Sequence, residues 1–363
     1  MEKNEIAKKA TEKINAASTE SEIKYSENID AVKSSRFNKA DWKGKVMTVN
    51  GLVPAEALNG ITLCHEHLTI LHQGPDVDLD DHEMIIRELK KFYETGGRTI
   101  VEHSNERIGR NPNALRRMSL ETGVNIIMGS GYYKDEWMPY DVRYKSADDI
   151  AQEIYNDIVV GIDVGEGERV HAGHIGEIGT SKCLTENEVR SIRGSVRAQN
   201  KTGAAISLHF DYDALPNERD KVLKILEEED ADPRRTIIQH IPCKLDNIPE
   251  VMRFCELGFQ VSFDHFGTDI DPRMQKMLAV TFEESMVTIK ECIRFGLIDH
   301  LLISTDICFK AGLIEMGGHG YCRVANEIIP FLRRLRVNEY DIERMTGFQA
   351  RKVFSLGGRF PSY

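Results

Sequence analysis

The sequence lacks several features that would place it quickly in a class. There is no run of about 18 apolar residues, so we expect no membrane-spanning helix. The seven cysteines are scattered without a CxxC pair, which argues against a disulfide framework and against a zinc ribbon. The first residues contain no apolar core of the signal-peptide type. Together these absences favour a cytoplasmic protein that has no membrane partner.

A surplus of positive charge is also missing. The 363 residues include 47 Lys and Arg against 58 Asp and Glu, a formal net charge of −11. A broad basic surface for nucleic acid is therefore not expected. Hydrophobic residues make up 41% of the chain and charged residues 29%, which is typical of a globular protein. The expected partner is a small-molecule substrate.

From residue 46 onward, short apolar runs rich in β-branched residues alternate with longer amphipathic stretches. This alternation predicts an α/β fold of the (β/α)8 TIM-barrel type. A doubly wound dinucleotide-binding sheet would need G-x-G-x-x-G after an early strand, and the sequence has none. The predicted strands are residues 61–67, 99–103, 125–129, 170–178, 205–209, 236–240, 260–264 and 301–306. The predicted helices are residues 81–95, 113–122, 147–158, 185–202, 218–229, 248–257, 283–295, 321–335 and 339–354.

The N-terminal residues differ from the rest of the chain. They are rich in Lys, Glu, Asn, Ser and Ala, and they carry at most a thin apolar stripe at helical spacing. We predict an N-terminal helical or loosely ordered extension over residues 1–45. One barrel domain then occupies residues 46–363.

Histidines and acidic residues end five of the predicted strands. His65 and His67 are spaced i, i+2 at the end of the first strand, so both side chains point to one face. In a (β/α)8 barrel the active site lies at these strand ends. The remaining members of the set are Glu177, His209, His240 and Asp306. A lone histidine here would have an ordinary structural explanation, but six such residues predict a metal site. Six ligands exceed the needs of one tetrahedral ion, so we predict two divalent metal ions, Zn or alternatively Mn, Co or Fe.

The ordered motifs from about residue 46 to the end resemble the phosphotriesterase family of the amidohydrolase superfamily. The resemblance rests on residues 48–54, 62–67, 109–111, 131–133, 172–181, 263–265 and 304–306, together with His209 and His240. It implies a binuclear metal hydrolase in which His65, His67 and Asp306 hold the more buried ion. His209 and His240 would hold the more exposed ion, and the family pattern also implies a homodimer. Asp306 would take the proton from a metal-bridging hydroxide as that hydroxide attacks the substrate.

Position 177 departs from the common family pattern. Many members place a carboxylated lysine there as the bridge between the metals, whereas this sequence has Glu177. In this it resembles a branch of phosphotriesterase-related proteins. A glutamate supplies two oxygens on a shorter arm, so the metal site is still expected. The substrate preference of lysine-type members transfers less well.

Two residues are predicted to contact the substrate. Tyr133 follows the third strand, where it resembles the tyrosine of lactone-hydrolysing relatives whose hydroxyl reaches the metals, and Tyr132 is the alternative. His265 ends the seventh strand, where relatives place an Arg or His near the leaving group. The alternative for His265 is a structural pair with Asp264.

The predicted function is hydrolysis of a carbonyl ester or amide, either a lactone or an N-acyl compound. The attacking group would be the metal-bridging hydroxide. Hydrolysis of a phosphotriester or another phosphoester at the same site is the alternative, and a non-catalytic metal-binding barrel is a second one. A flavin or pyridoxal phosphate enzyme is disfavoured, since no strand-end glycine loop with a basic partner is evident.

Overall fold

Eight parallel strands form the centre of a computed structural model that describes residues 39–357 without 72, 73, 75, 76, 245, 246 and 270–277. Each strand pairs with the strand that follows it in this order. The strands are β1 (Ile61–Glu66), β2 (Gly97–Glu102), β3 (Asn125–Ser130), β4 (His174–Gly179), β5 (Ile206–His209), β6 (Thr236–Gln239), β7 (Gln260–Phe263) and β8 (Leu301–Ile303).

The last strand lies beside the first, which closes the sheet into a barrel. The His65 N–H donates to Ser304 Oγ at 3.0 Å. The Asp306 N–H donates to the His65 carbonyl oxygen at 3.2 Å. These two contacts join the edges of the sheet. The predicted (β/α)8 fold is confirmed.

Helices surround the barrel. They are α1 (His82–Glu94), α2 (Pro112–Thr122), α3 (Ala147–Val159), α4 (Glu186–Thr202), α5 (Pro216–Glu228), α6 (Ile248–Glu256), α7 (Phe282–Arg294), α8 (Ile329–Arg334), α9 (Glu339–Glu343) and α10 (Gln349–Phe354). Three of them begin with a capping box. In α4, for example, the N-cap residue Thr185 and Glu188 in the first turn satisfy each other's backbone N–H groups. The two predicted C-terminal helices each contain a π-helical segment, Val324–Ile328 and Arg344–Phe348. None of the helices described has the length and apolar character needed to cross a membrane.

The prediction for the fourth strand is wrong at its beginning. Val170 belongs to an antiparallel hairpin, Ile162–Gly165 with Glu168–Val170, where it pairs with Ile162. The barrel strand β4 begins only at His174. Between the two, Gly173 lies so close to the Met47 carbonyl oxygen that a Cβ would approach it to 2.1 Å. The apolar run in the sequence therefore covers the end of the hairpin and the start of β4, which are separate elements.

A second hairpin, Lys45–Thr48 with Gly51–Pro54, precedes β1. Before it lies a short helix, Lys39–Trp42. The rest of the predicted extension, residues 1–38, lies outside the described residues. The division of the chain at residue 45 stays a prediction.

Two hydrophobic clusters hold the barrel together. The larger one joins the outer faces of the strands to the helices, for example Ile100 to Leu89 and Phe92. The smaller one combines side chains from β1, β2, β3, β6 and β8, which only the barrel interior can bring together. Cys64 belongs to this interior cluster, and its Sγ lies 3.3 Å from Ser262 Oγ. Cys64 therefore has a packing role in the barrel interior.

Candidate metal centre

The six predicted ligand residues meet at the end of the barrel where the strands terminate. They are His65, His67, Glu177, His209, His240 and Asp306. Three lie in a strand, His67 and His240 directly follow a strand, and Asp306 lies three residues beyond one. All six are buried, from 0% exposed for His65 to 6% for His209. The structure thus brings together side chains from five strands.

Four of these side chains surround one point. His65 Nε2 lies 3.7 Å from Glu177 Oε2 and 3.5 Å from Asp306 Oδ1. His67 Nε2 lies 3.6 Å from Glu177 Oε1 and 3.6 Å from Asp306 Oδ1. These separations are too long for hydrogen bonds. They are close to the roughly 3.3–3.6 Å between two ligands of one tetrahedral ion with bonds of about 2.0–2.2 Å. His65 Nε2 is also buried without a hydrogen-bond partner among the described residues, so the four groups fit a divalent cation.

A second group adjoins the first through Glu177. His209 Nδ1 lies 2.9 Å from Glu177 Oε2 and 2.8 Å from His240 Nε2. These contacts are tighter than those around the first point. Glu177 directs Oε1 toward His67, and its Oε2 lies between His65 and His209. One carboxylate therefore faces both groups, as a bridge between two cations requires.

Two of the six residues have a left-handed backbone. The φ angle is 64° at His240 and 52° at Asp306. Such a conformation is uncommon outside glycine and costs on the order of 1–3 kcal/mol at a strained position. Both residues sit where the chain leaves a barrel strand. Strain at two proposed ligands supports a functional role for this end of the barrel.

Asp264 links the two groups of imidazoles, a role that the sequence did not reveal. Its Oδ2 lies 3.1 Å from His65 Nδ1, and its Oδ1 lies 3.1 Å from His240 Nδ1. A carboxylate at Nδ1 fixes the tautomer that leaves Nε2 free to bind a cation. The available signal in the sequence is an aspartate directly after a fully buried strand.

Glu66 is the second residue that sequence reasoning missed. Its Oε1 accepts from Ser304 Oγ at 2.6 Å, from Thr305 N at 2.7 Å and from Thr305 Oγ1 at 2.6 Å. Its Oε2 accepts from Ile307 N at 3.0 Å. The donors lie on both sides of Asp306 in the chain, so Glu66 holds the segment that carries Asp306. A carboxylate in an apolar strand had to find such donors, and this requirement was the available signal.

The imidazoles of the first group are supported from the side of β2. Ser104 Oγ lies 3.0 Å from His67 Nδ1. The His103 ring stacks on His65 with 4.3 Å between centroids. Its Nε2 lies 3.0 Å from the Cys64 carbonyl oxygen, and its Nδ1 lies 3.3 Å from Gln239 Nε2. Both nitrogens of His103 are thus engaged, which makes it a supporting residue.

Burial and neighbouring charges set the protonation of these groups. Burial lowers the pKa of His67 to about 3 and keeps its imidazole neutral. Burial also raises the pKa of Asp306 to about 7, against the opposing effect of His65. Burial acts to lower the pKa of His65, but Asp306 and Asp264 outweigh it and raise that pKa to about 10. A cation that binds His65 must therefore displace a proton. Burial raises the pKa of Asp264, but His240 and His65 outweigh this and hold it well below the usual range.

A cavity of about 210 Å³ opens beside the six residues, and Tyr133 lines it. The Tyr133 hydroxyl lies 3.1 Å from His209 Nε2. Tyr132 instead donates its hydroxyl to Glu153 Oε2 at 2.6 Å and lines a different cavity of about 240 Å³. Of the two tyrosines, the structure therefore places Tyr133 where a substrate would bind.

His265 is not brought to this cavity. Its Nε2 lies 2.9 Å from Ser285 Oγ at the start of α7, and its ring lies against Phe266. The carboxylate of the preceding Asp264 faces His65 and His240 instead. The structure thus supports neither a direct substrate contact by His265 nor a hydrogen-bonded pair with Asp264.

A (β/α)8 barrel with imidazoles and carboxylates gathered at its strand ends has the architecture of a metal-dependent hydrolase. Residues 44–354 match the model of the Phosphotriesterase family, and the chain belongs to that family. It is accordingly a hydrolase.

Relatives with names and structures agree with this assignment. The N-acetyltaurine hydrolase of Dictyostelium discoideum is 33% identical over 273 residues, which cover 74% of this chain and 72% of that protein. A Resiniferatoxin-binding protein from Rhodobacter sphaeroides has a TM-score of 0.77 at 33% identity, with 86% of this chain and 95% of that one covered. The Phosphotriesterase homology protein from Escherichia coli, solved with phosphate in its active site, has a TM-score of 0.74 at 29% identity and covers 82% of this chain and 99% of its own.

Proposed function

We propose that the protein hydrolyses a carboxylic amide or ester with two divalent cations, that these cations are zinc, and that N-acyl amides are its substrates. The observation that carries the proposal is the position of Glu177, whose carboxylate lies against the imidazoles of both groups, His65 and His67 on one side and His209 on the other. Lactones are the second carbonyl class.

The six residues would hold the cations as two sets that share Glu177. When bound, the cations would polarise the substrate carbonyl and make a water molecule more acidic. Asp306 accepts the proton of the attacking water as the new C–O bond forms. It returns that proton to the leaving nitrogen or oxygen as the scissile bond breaks.

Tyr133 is the polar side chain best placed to orient the carbonyl group. When His209 Nδ1 faces a cation, its Nε2 carries a proton and donates to the Tyr133 oxygen at 3.1 Å. The phenol proton of Tyr133 then remains available to the substrate. Burial raises the pKa of Tyr133 well above its usual value, so the hydroxyl keeps this proton.

The preference for an N-acyl amide is supported by the relatives. Proteins called N-acetyltaurine hydrolase match at 33% identity in Dictyostelium discoideum and at 28% identity in Homo sapiens. Phosphoester hydrolysis is the second candidate, because the Escherichia coli relative was solved with phosphate in its active site.

A substrate panel tests the proposal. The full chain is reconstituted with Zn²⁺ or Mn²⁺ and assayed on N-acetyltaurine, a γ-lactone and a p-nitrophenyl phosphotriester. We expect the largest kcat/KM on the N-acyl amide. Asp306→Asn should lower turnover by about 10²–10⁴-fold, the range for loss of a general acid–base group. Asp213→Asn, a change at an exposed rim carboxylate paired with Lys244, serves as the control.

Two results would contradict the proposal. Near-normal turnover by Asp306→Asn in folded protein would exclude the proton transfer assigned to this carboxylate. Efficient cleavage of the phosphotriester alone would move the assignment to the second candidate. Unfolding of the variant is checked by circular dichroism, so that a lost fold is not mistaken for lost chemistry.

A further inference from the structure

The cavity beside the candidate metal centre contains one fixed positive charge. Among the described residues that line it, Lys134 is the only one with a lysine or arginine side chain. Its side chain is 15% exposed. The other lining residues include the proposed metal ligands and a group of apolar or aromatic side chains. This group consists of Ile70, Ile108, Tyr133, Trp137, Tyr212 and Phe309.

The side chain of Tyr133 lies between Lys134 and the candidate metal centre. Its Nζ lies 5.6 Å from the centroid of the Tyr133 ring, and the hydroxyl of that ring contacts His209. One tyrosine side chain therefore separates the ammonium group from a proposed metal ligand. A small substrate with its carbonyl near His209 would extend toward Lys134.

The ammonium group has donors to spare. Nζ donates to Asp211 Oδ2 at 2.9 Å. An ammonium carries three N–H donors, so this bond uses one of them. Apolar walls lower the local dielectric and strengthen the attraction between Lys134 and an anion. Asp211 balances this half-buried charge before a ligand arrives.

We propose that Lys134 binds the anionic end of an N-acyl substrate, a sulfonate or a carboxylate, with Asp211 as the internal counter-ion from which the ammonium turns. This inference rests on the proposed function, since it names the substrate class of the same site. Lysine acts as a compact point charge with rotatable donors. Both the tetrahedral sulfonate and the planar carboxylate are therefore accepted.

Binding is measured apart from turnover with ketones in which a CH2 replaces the amide nitrogen. Calorimetry compares 4-oxopentane-1-sulfonate, the matching carboxylate 5-oxohexanoate and the neutral 5-methoxypentan-2-one on the zinc-reconstituted full chain. A charge-assisted contact predicts that both anions bind about tenfold tighter than the neutral ketone, or more. Equal affinity for all three ketones would overturn the proposal.

Three variants separate a binding role from a structural ion pair. Lys134→Met keeps most of the length of the side chain without its charge and should reduce the anion preference to less than threefold. Asp211→Asn removes the competing carboxylate and should tighten anion binding several-fold. If the ion pair between Lys134 and Asp211 only holds two loops together, both substitutions would weaken binding of the anionic ketones or leave it unchanged. Either result for Asp211→Asn would contradict the proposal. Lys244→Met removes an equal charge outside the cavity lining and should leave the preference intact.

Failure of this inference and failure of the proposed function give different results. Hydrolysis of N-acetyltaurine, N-acetyl-β-alanine and N-(2-hydroxyethyl)acetamide with equal kcat/KM would leave the hydrolase proposal standing and remove the anion site. Tight, Lys134-dependent binding of the anionic ketones without any N-acyl hydrolysis would do the reverse. The Asp211→Asn measurement decides the matter even where Lys134→Met fails to fold.

Discussion

Replacing Asp264 with asparagine is the sharpest test of how the candidate metal centre is held. The carboxylate of Asp264 accepts from His65 Nδ1 and from His240 Nδ1, each at 3.1 Å. An asparagine has one oxygen and one NH2 group, so it can accept from only one of these rings. The other ring must then turn its Nδ1 into an acceptor, which moves its proton to Nε2.

A proton on Nε2 removes that imidazole as a ligand. Loss of a partner that orients a metal ligand typically weakens metal binding by about 10–100-fold. On the free-energy scale this is about 1.4–2.7 kcal/mol. Since His65 and His240 belong to different groups around Glu177, we expect the loss to fall mainly on one cation. The fold should persist, because the side chain keeps its volume.

The assay is a competition titration with a chromophoric chelator, combined with elemental analysis of the dialysed protein. We expect the Asp264→Asn protein to hold about one cation under conditions where the wild type holds two. Its activity should recover when the metal concentration is raised. Glu218→Gln is the control, a buried carboxylate that bonds to Leu184 N and Lys221 away from the imidazoles. A change of less than threefold for both cations would refute the reasoning.

The remaining predictions concern stability and positioning. Glu66→Gln places an NH2 group toward the Ile307 N–H or toward the donors at Oε1. The free energy of unfolding measured in urea should therefore fall by about 1–3 kcal/mol. Because the segment that carries Asp306 is then held less firmly, kcat should fall more than KM changes. Dialysis against a chelator should lower Tm by several degrees in calorimetry, because a cation present at 1,000 times its Kd stabilises the folded state by about 4 kcal/mol; an unchanged Tm would contradict the metal site. Arg197 and Arg193 hold the pKa of Glu229 at about 2. Glu229→Gln should therefore lower the free energy of unfolding by about 1–3 kcal/mol at neutral pH. In urea unfolding at several pH values, the difference in this free energy between variant and wild type should vanish as the pH falls from the normal carboxylate pKa toward 2.

Much of this molecule follows from patterns that are local in the sequence. Alternating apolar runs locate the eight strands, and Thr185 with Glu188 marks the start of a helix. His65 and His67 identify the site because barrel strands end at a common place. What these patterns omit is the exact strand ends. His67, His240 and Asp306 lie beyond the strands, on backbone that two left-handed residues redirect.

Residues that act by positioning other residues are not evident from local sequence patterns. Asp264 and Glu66 contact residues that are distant in the sequence. Glu66 and Ser304, for example, are 238 residues apart. A buried carboxylate signals that partners exist, but spacing along the chain does not say which ones. Val170 illustrates the converse, because one apolar run continued across the boundary between a hairpin and a strand.

The seam between β1 and β8 has a consequence for biosynthesis. The His65 N–H and Ser304 Oγ that meet there are 239 residues apart in the chain. A ribosome that has released the first seven strands has delivered every imidazole of the set but not Asp306. Glu66 at that stage has none of its donors from Ser304, Thr305 and Ile307. The full set of proposed ligands can therefore come together only after the last strand has emerged, and an unfinished chain lacks the proposed proton acceptor.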